Sequence, residues 1–203
     1  TQYAQSLPGV RIVQVQHHHA HIASCMAEHG LDCQVIGVAL DGTGLGTDGK
    51  IWGFEILLCD LLDFRRVLHM DYMPLPGGDK AVGEPWRTAL ACLYKAFGEE
   101  LSGLPLPLLA RIGSERRQFI MRMIDQRINT PLVSSAGRLF DAVAAILDLC
   151  DSSTFQAEAP MRLEAIAQPR CREEYRFEID RVIQTDAMIR QIAIEKIAGV
   201  DPA

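Results

Sequence analysis

The alternation of hydrophobic and polar positions divides the chain into a strand-rich first part, residues 1–75, and a mainly helical second part, residues 76–203. In the first part, apolar stretches separated by polar or glycine-rich connections predict short strands. The predicted strands are 10–15, 35–40, 51–60 and 65–72. Because the last three follow one another with short connections, they predict a strand meander.

Helical periodicity dominates the second part. Pro85 falls in the first turn of one predicted helix, and Ser134 and Ser135 are suitable N-cap residues for another. The predicted helices are 84–97, 115–127, 137–150, 159–167 and 186–198, with one further strand at 174–179. A strand meander followed by helices predicts an α/β or α+β architecture.

A dense histidine run stands between the first two predicted strands. His17, His18, His19 and His21 fall within five positions, and the apolar pattern after them predicts a helix that ends at Gly30. Residues i and i+4 share a helix face, so His17 and His21 are spaced to chelate one divalent metal. We expect His18 and His19 near the ligands, facing substrate or at the surface, and count His18 among the catalytic candidates.

Two alternatives to metal binding exist for this run: an expression-tag remnant and a solvated helix start. A tag is disfavoured because Ala20 interrupts the histidines and both flanks are apolar. Metal binding is therefore the favoured interpretation.

The second informative segment is the glycine-rich stretch 41–49, Asp-Gly-Thr-Gly-Leu-Gly-Thr-Asp-Gly, directly after a predicted strand. Glycines such as Gly42 and Gly44 allow backbone amides to approach an anion closely, and Thr43 adds a hydroxyl donor. Asp41 places a carboxylate at the end of the strand. Asp-Gly is also a common hairpin turn, so the segment gains weight mainly from the histidine pair beside it.

Two later segments carry further polar candidates. The turn-rich stretch 77–87 contains Lys80 and Glu84, which equally fit a solvated helix start with an acidic first turn. The stretch 134–141 opens a helix with Gly137 and places Asp141 one turn further on. That arrangement suits a nucleotide at a helix N-terminus, although a capping role is comparable.

Composition sets limits on partners and location. The 203 residues are 48% hydrophobic and carry a net charge of −6, so charge indicates neither nucleic acid nor an anionic membrane as partner. The sequence shows no apolar stretch of transmembrane length and no signal peptide. Six cysteines without a Cys-x-x-Cys pair disfavour a thiolate zinc site, and most of them lie in predicted apolar elements. We therefore expect buried, reduced cysteines in a cytoplasmic protein.

Four phrases occur in an order that resembles the HypF family of hydrogenase maturation carbamoyltransferases. They are VQHHHAHIAS, VALDGTGLGTDGKIWGFE, PLPGGDKAVGEPWRTAL and SSAGRLFDAVAAILDL. The resemblance extends over residues 1–203 and is to part of the domain similar to tRNA threonylcarbamoyl-transferring enzymes. It implies a partial ASKHA (actin-like ATPase) fold, with a metal and a nucleotide in a cleft.

The resemblance also implies site residues. It marks His17 and His21 as metal ligands, and the segment from Asp41 to Gly44 as the loop beside metal and phosphates. The implied nucleotide-side residues are Gly42, Thr43, Gly44, Lys80, Glu84, Gly137 and Asp141, with Asp41 and His18 as catalytic candidates. The chain departs from the family at Phe155-Gln156, where Tyr-Glu is usual, and a further metal carboxylate is expected outside these 203 residues.

The implied reaction is carbamoyl transfer. Carbamoyl phosphate and ATP give carbamoyl adenylate, whose carbamoyl group passes to the C-terminal cysteine of the partner HypE, with zinc or iron as the metal. One alternative is a tRNA threonylcarbamoyl transferase, which shares the fold and the paired histidines. The other is a non-catalytic module that binds a metal or docks a partner.

Overall fold

A computed structural model describes residue 3, residues 6–168 and residues 171–201. The elements of the strand-rich part are helix α1 (His17–Glu28) and strands β1 (Val35–Leu45), β2 (Ile51–Cys59), β3 (Phe64–His69) and β4 (Met73–Pro74). The elements that follow are α2 (Asp79–Gly83), α3 (Pro85–Phe97), a 3-10 turn (Gly98–Gly103), α4 (Pro107–Ile112), α5 (Ser114–Asp125), β5 (Leu132–Ser135), α6 (Ala136–Ile146), α7 (Glu158–Ile166), β6 (Glu178–Ile179), β7 (Ile183–Gln184) and α8 (Asp186–Ile197).

The main sheet confirms the predicted meander. Its strand order is β1-β2-β5-β4, and β3 also pairs with β2. β2 runs antiparallel to β1 and β3, whereas β5 joins the start of β2 in parallel, with Trp52 opposite Ser134. Because α6 follows β5 without a break, this pairing carries the first turn of α6 to the irregular end of β1.

Of the three apolar clusters among the described residues, two fix the elements around the site. The larger one lies among the helices of the second part, where Leu90 and Leu93 of α3 pack with Ala142 and Ile146 of α6. The smaller one seats α1 on β1 and β2 through residues that are all buried: Ile22, Met26, Ala39, Leu57 and Cys59. Gly37 is required there, since an added Cβ would lie 2.3 Å from Ile22 Cδ1. These contacts fix α1, and with it the histidines, against β1.

Several predicted elements differ from the structure. Residues 10–15 form no strand, and the predicted strand 174–179 is reduced to Glu178–Ile179. Strand β1 continues to Leu45 through the segment predicted as a loop, and the tight turn comes later, around residues 47–50. The predicted helix 137–150 ends at Ile146. The short elements β4, α2, α4, β5 and β7 lack a periodic signature of their own, so the pattern does not reveal them.

The expectation for the cysteines was wrong in half of the cases. Cys59, Cys92 and Cys150 are buried, but Cys25, Cys33 and Cys171 are exposed, and all six are free thiols. Cys25 lies on the outer side of α1 because Ile22 and Met26 occupy the side that packs on the sheet. Among the described residues, no helix has the length and apolar character needed to span a membrane.

Candidate metal centre and ligand cleft

The two ends of helix α1 are fixed by its capping residues, and this determines where its histidines lie. At its start, the Gln16 side-chain oxygen accepts hydrogen bonds from the backbone N–H groups of His18 (2.6 Å) and His19 (3.1 Å). At its end, Gly30 takes a positive φ of 64°, which a glycine adopts without strain. The helix therefore starts at His17, as predicted, and places His17 and His21 on one face.

Three side chains converge at the start of α1. Asp41 Oδ2 lies 2.9 Å from His17 Nε2 and 3.9 Å from His21 Nε2, and the two imidazole nitrogens are 3.2 Å apart. Histidine, cysteine, aspartate and glutamate side chains are common metal ligands. Among the described residues, His17, His21 and Asp41 form the one group of three of these side chains whose ligand atoms lie within 4.8 Å of one another. The structure thus brings together the two predicted metal ligands and one predicted catalytic residue.

Asp41 reaches the histidines because β1 is irregular where it passes them. The pairing register with β2 shifts between Leu40 and Gly44, so the intervening residues bulge out of the ladder. The carboxylate is fixed locally, since Asp41 Oδ1 accepts a hydrogen bond from Gly42 N–H at 2.6 Å. A Cβ added at Gly44 would lie 2.5 Å from His18 Cε1. Gly44 therefore allows β1 to pass close beneath the histidines.

The donor set fits a divalent metal. Nitrogen and oxygen ligands about 2.0–2.1 Å from a tetrahedral zinc lie about 3.3 Å from one another. The separations of 2.9, 3.2 and 3.9 Å bracket that value. Two imidazoles and one carboxylate suit zinc and also the iron sites that use a facial triad, so the donors fit both predicted metals.

His18 and His19 point away from the solvent-facing side of the helix. His18 is fully buried, with Nδ1 3.1 Å from Gln16 Nε2, and its Nε2 has no hydrogen-bond partner and lies 3.8 Å from Asp41 Oδ2. Burial lowers the pKa of His18, which favours the neutral ring, although Glu55 acts in the opposite direction. His19 Nε2 contacts the Asp60 carbonyl at 2.8 Å, which is a structural contact with the sheet.

A cleft of about 810 Å³ opens beside the triad. Its floor is formed where the first turn of α6 meets the bulge of β1, and a Cβ added at Gly137 would lie 3.0 Å from Gly42 Cα. Ser135 fastens this junction, because its hydroxyl lies 2.8 Å from the Asp41 carbonyl and 2.7 Å from the Gly42 carbonyl, and its oxygen caps the N–H of Arg138. The predicted ligand residues that line the cleft are Asp41, Gly42, Thr43, Gly137 and Asp141.

Arg138 and Asp141 form a buried pair in the wall of this cleft. Arg138 is 7% exposed and Asp141 is 2% exposed, and Arg138 Nη1 lies 2.9 Å from Asp141 Oδ2. The two atoms are close enough for an ion pair, but their geometry makes no hydrogen bond. Burial raises the pKa of Asp141 from 3.8 to about 6, and the Arg138 charge opposes that rise.

Lys80, Glu84 and Gly44 do not line the cleft. Glu84 Oε1 lies 3.6 Å from Lys80 Nζ, and Glu84 also accepts a hydrogen bond from Arg87 Nε. Lys80 is mostly solvent-exposed. The neighbouring residues Asp79, Val82 and Gly83 line the cleft instead, because the short helix α2 turns that face inwards. Gly44 lies under the histidines, as described above.

Sequence reasoning missed a buried polar network behind the site. Glu55, in the middle of β2, is fully buried and accepts hydrogen bonds from Arg66 Nε at 2.5 Å and from Ser134 Oγ at 2.6 Å. Arg66 lies 3.5 Å from Asp48, which accepts a hydrogen bond from the Trp52 indole N–H. A single glutamate inside an otherwise apolar strand was the available signal, because a buried carboxylate requires partners.

The fold and the site together define a class. A curled antiparallel meander followed by helices, with histidines and an aspartate at the edge of a glycine-lined cleft, is a partial ASKHA-like α/β fold. Residues 37–203 match the family model described as "Carbamoyltransferase, Kae1-like Domain, second subdomain", and residues 1–28 match the "HypF Kae1-like domain". The chain therefore belongs to the HypF carbamoyltransferase family.

Individual relatives agree with this assignment. Carbamoyltransferase HypF2 of Cupriavidus necator is 48% identical over 162 residues, which cover 79% of this chain and 19% of that protein. A carbamoyltransferase HypF homolog of the same organism is 39% identical, covering 95% of this chain and 51% of that protein. The chain thus spans between about a fifth and a half of these relatives.

Solved structures agree as well. A crystal structure of full-length HypF in the phosphate- and nucleotide-bound form superposes with a TM-score of 0.88 at 42% identity, covering 99% of this chain and 31% of that one. HypF of T. kodakarensis gives a TM-score of 0.80 at 36% identity, covering 99% of this chain and 27% of that one.

Proposed function

We propose that this chain provides the metal and nucleotide centre of a carbamoyltransferase acting in nickel-iron hydrogenase maturation. The substrates are carbamoyl phosphate and ATP, which give carbamoyl adenylate, and the acceptor is the C-terminal cysteine thiolate of HypE. The observation that carries the proposal is the convergence of His17, His21 and Asp41 beside the cleft formed by the first turn of α6. Family membership and a nucleotide-bound structural neighbour support it.

In the proposed reaction, the thiolate sulfur attacks the carbamoyl carbon, and the bond from that carbon to the adenylate oxygen breaks. AMP leaves with the electron pair of that bond, and the carbamoyl group remains on sulfur as a thiocarbamate. A zinc or iron ion held by His17, His21 and Asp41 would supply Lewis-acid stabilisation of the negative charge on the leaving phosphate. The nucleophile comes from the partner, so no cysteine of this chain is required as one.

The chain's own residues bind and orient the adenylate. The first turn of α6 and the bulge at Gly42 and Thr43 meet at the cleft floor, where helix-terminal and loop amides suit a phosphate. Asp141 lies one turn further along α6, and in this proposal its carboxylate accepts hydrogen bonds from ribose hydroxyls. Lys80 and Glu84 lie outside the cleft lining and act, in this proposal, only on the shape of the α2–α3 junction.

The test is carbamoyl transfer to HypE. Full-length protein containing this chain, incubated with ATP and radiolabelled carbamoyl phosphate, is expected to label the HypE C-terminal cysteine. The His17→Ala, His21→Ala double variant is expected to lose at least about 100-fold of that rate, in line with the several kcal/mol that metal catalysis supplies. His29→Ala, on an exposed histidine at the end of α1, is the matched control and should keep the wild-type rate.

Unchanged labelling of HypE by the double variant would contradict the proposal. Labelling of HypE that does not depend on its C-terminal cysteine would also contradict it. Transfer of a threonylcarbamoyl group to tRNA would favour the tRNA threonylcarbamoyl transferase alternative. A protein that binds metal and HypE but transfers nothing would favour a docking module.

A further inference from the structure

The unsatisfied polar groups of the cleft wall point to a role for Arg138. Arg138 Nε is buried without a hydrogen-bond partner, and the facing atoms Arg138 Nη1 and Asp141 Oδ2, which form an ion pair at 2.9 Å, are not aligned for a hydrogen bond. A buried polar group without a partner costs about 1–3 kcal/mol, and more when it is charged. Two such residues side by side in a cleft wall therefore indicate a ligand that completes their hydrogen bonding.

Arg138 and Asp141 are close enough to interact electrostatically. They are three positions apart on α6, so they share a helix face, and the ion-pair distance is 2.9 Å. The guanidinium also reaches the cleft floor, because a Cβ added at Gly42 would lie 3.9 Å from Arg138 Nη2. Arg138 thus lies between the bulge of β1 and the Asp141 carboxylate.

Many other charged side chains around α6 form ion pairs of their own. Helix α6 packs against α3, α7, α8, β1, β2 and β5. Many of the charged groups on or beside these elements form pairs of their own, among them Arg87–Glu84, Glu158–Arg162, Glu55–Arg66, Asp41–His17 and Lys196–Asp148. Among the described residues, Arg138 is the one charged group that acts on the pKa of Asp141.

We propose that Arg138 is a positioning residue that keeps the Asp141 carboxylate charged and oriented, so that Asp141 accepts hydrogen bonds from the ribose hydroxyls of a bound nucleotide. The inference rests on the proposed function, since that function supplies the nucleotide. Arg138 acts through Asp141 and needs no contact with the reacting atoms.

The physical reason is the cost of a buried carboxylate. Burial favours the protonated form of Asp141, in which one oxygen becomes a donor and the group loses acceptor capacity. A fixed opposite charge within about 4–6 Å lowers the pKa of a carboxyl group by roughly 1–3 units. Without Arg138, a large share of Asp141 would be protonated at neutral pH.

The experiment measures the binding of AMP, and of 2′,3′-dideoxy-AMP, by calorimetry between pH 5 and pH 9. The phosphate of both ligands also titrates at about pH 6, so the profile is read as the ratio of the AMP affinity to the dideoxy-AMP affinity. In the wild type this ratio is expected to be constant above pH 7 and to fall as Asp141 is protonated. In Arg138→Met the midpoint of this pH dependence should move up by at least about one pH unit, so that AMP binds at least about twofold more weakly at pH 7 and regains most of its affinity at pH 9. Arg138→Lys, which keeps the charge, should restore most of the wild-type profile.

Two controls separate this role from a structural one. Asp141→Asn should weaken AMP binding at every pH and remove the midpoint. Affinity for 2′,3′-dideoxy-AMP should be the same in wild type, Arg138→Met and Asp141→Asn, because that probe lacks the hydroxyls. Arg190→Met, at an ion pair on α8, is the matched arginine control and should leave the AMP profile unchanged.

Three results would overturn the inference: no binding of AMP to the wild type, an unshifted midpoint in Arg138→Met, or an equal loss for AMP and its dideoxy analogue. If Arg138→Met does not fold, a carbon-13 titration of the wild-type Asp141 carboxyl decides, since its midpoint must coincide with that of AMP binding. If AMP binding follows the expected pattern but no carbamoyl group is transferred to HypE, only the proposed reaction fails.

Discussion

At the scale of single residues, the candidate metal centre depends on where small side chains allow close approach. Asp41 reaches His17 because β1 bulges between Leu40 and Gly44, and Gly44 leaves room for the imidazole of His18. The i, i+4 spacing of His17 and His21 was sufficient to predict their pairing. The third member, Asp41, was predicted as a catalytic group rather than as a ligand candidate, because a strand bulge has no sequence periodicity.

Asp141 gives a pH prediction at the same scale. Its pKa is raised by burial from 3.8 to about 6, so between these values the folded state binds the proton more tightly than the unfolded state. This group therefore stabilises the fold fully below about pH 4, and its contribution is lost as the pH rises to 6.

The free energy of unfolding should thus contain a component from Asp141 that falls by up to about 3 kcal/mol across this window. Urea denaturation of wild type and Asp141→Asn at pH 4 and at pH 6.5 measures it, because the amide does not titrate. The free energy of unfolding of Asp141→Asn minus that of the wild type should increase between pH 4 and pH 6.5. A constant difference would contradict the account.

At the scale of elements, the first helix is defined by its N-cap. Gln16 Oε1 accepts two backbone N–H groups of the first turn, and Gln16 Nε2 donates to the Leu45 carbonyl at 3.1 Å. One side chain therefore starts α1 and ties it to the end of β1.

Gln16→Ala should lower the free energy of unfolding by about 1 kcal/mol, as expected for the loss of an N-cap. Gln16→Glu, which keeps an acceptor oxygen but loses the Nε2 donor to the Leu45 carbonyl, should restore part of it, and Gln14→Ala, at an exposed glutamine before the helix, should change little. Chemical denaturation with all four proteins checks this. Equal stability of Gln16→Ala and Gln14→Ala would show that the cap does not contribute.

The element scale also shows what sequence patterns reveal. Helices α1, α3, α5, α6, α7 and α8 and strands β1 to β3 were predicted because each is long enough to show a period. The segment 10–15 has the apolar residues of a strand but pairs with nothing, and its Val13 and Val15 are exposed. Strand formation depends on a partner strand, which apolar composition alone does not supply.

At the scale of the whole molecule, β5 connects the two parts. Its parallel pairing with the start of β2 brings α6 to the bulge of β1, and Ser135 fastens the two segments. Residues separated by more than 90 positions, such as Asp41 and Ser135, thus form one cleft. This long-range pairing is absent from local patterns, whereas the four family-like phrases anticipated the shared site because they already carry its residues.

In the proposed function, His17, His21 and Asp41 hold one divalent metal. Elemental analysis of purified protein after exhaustive dialysis tests it most directly, with His17→Ala, His21→Ala as the variant and His29→Ala as the control. We expect close to one zinc or iron per chain in wild type and control, and less than about a tenth of that in the double variant. Equal metal content in wild type and double variant would contradict the account.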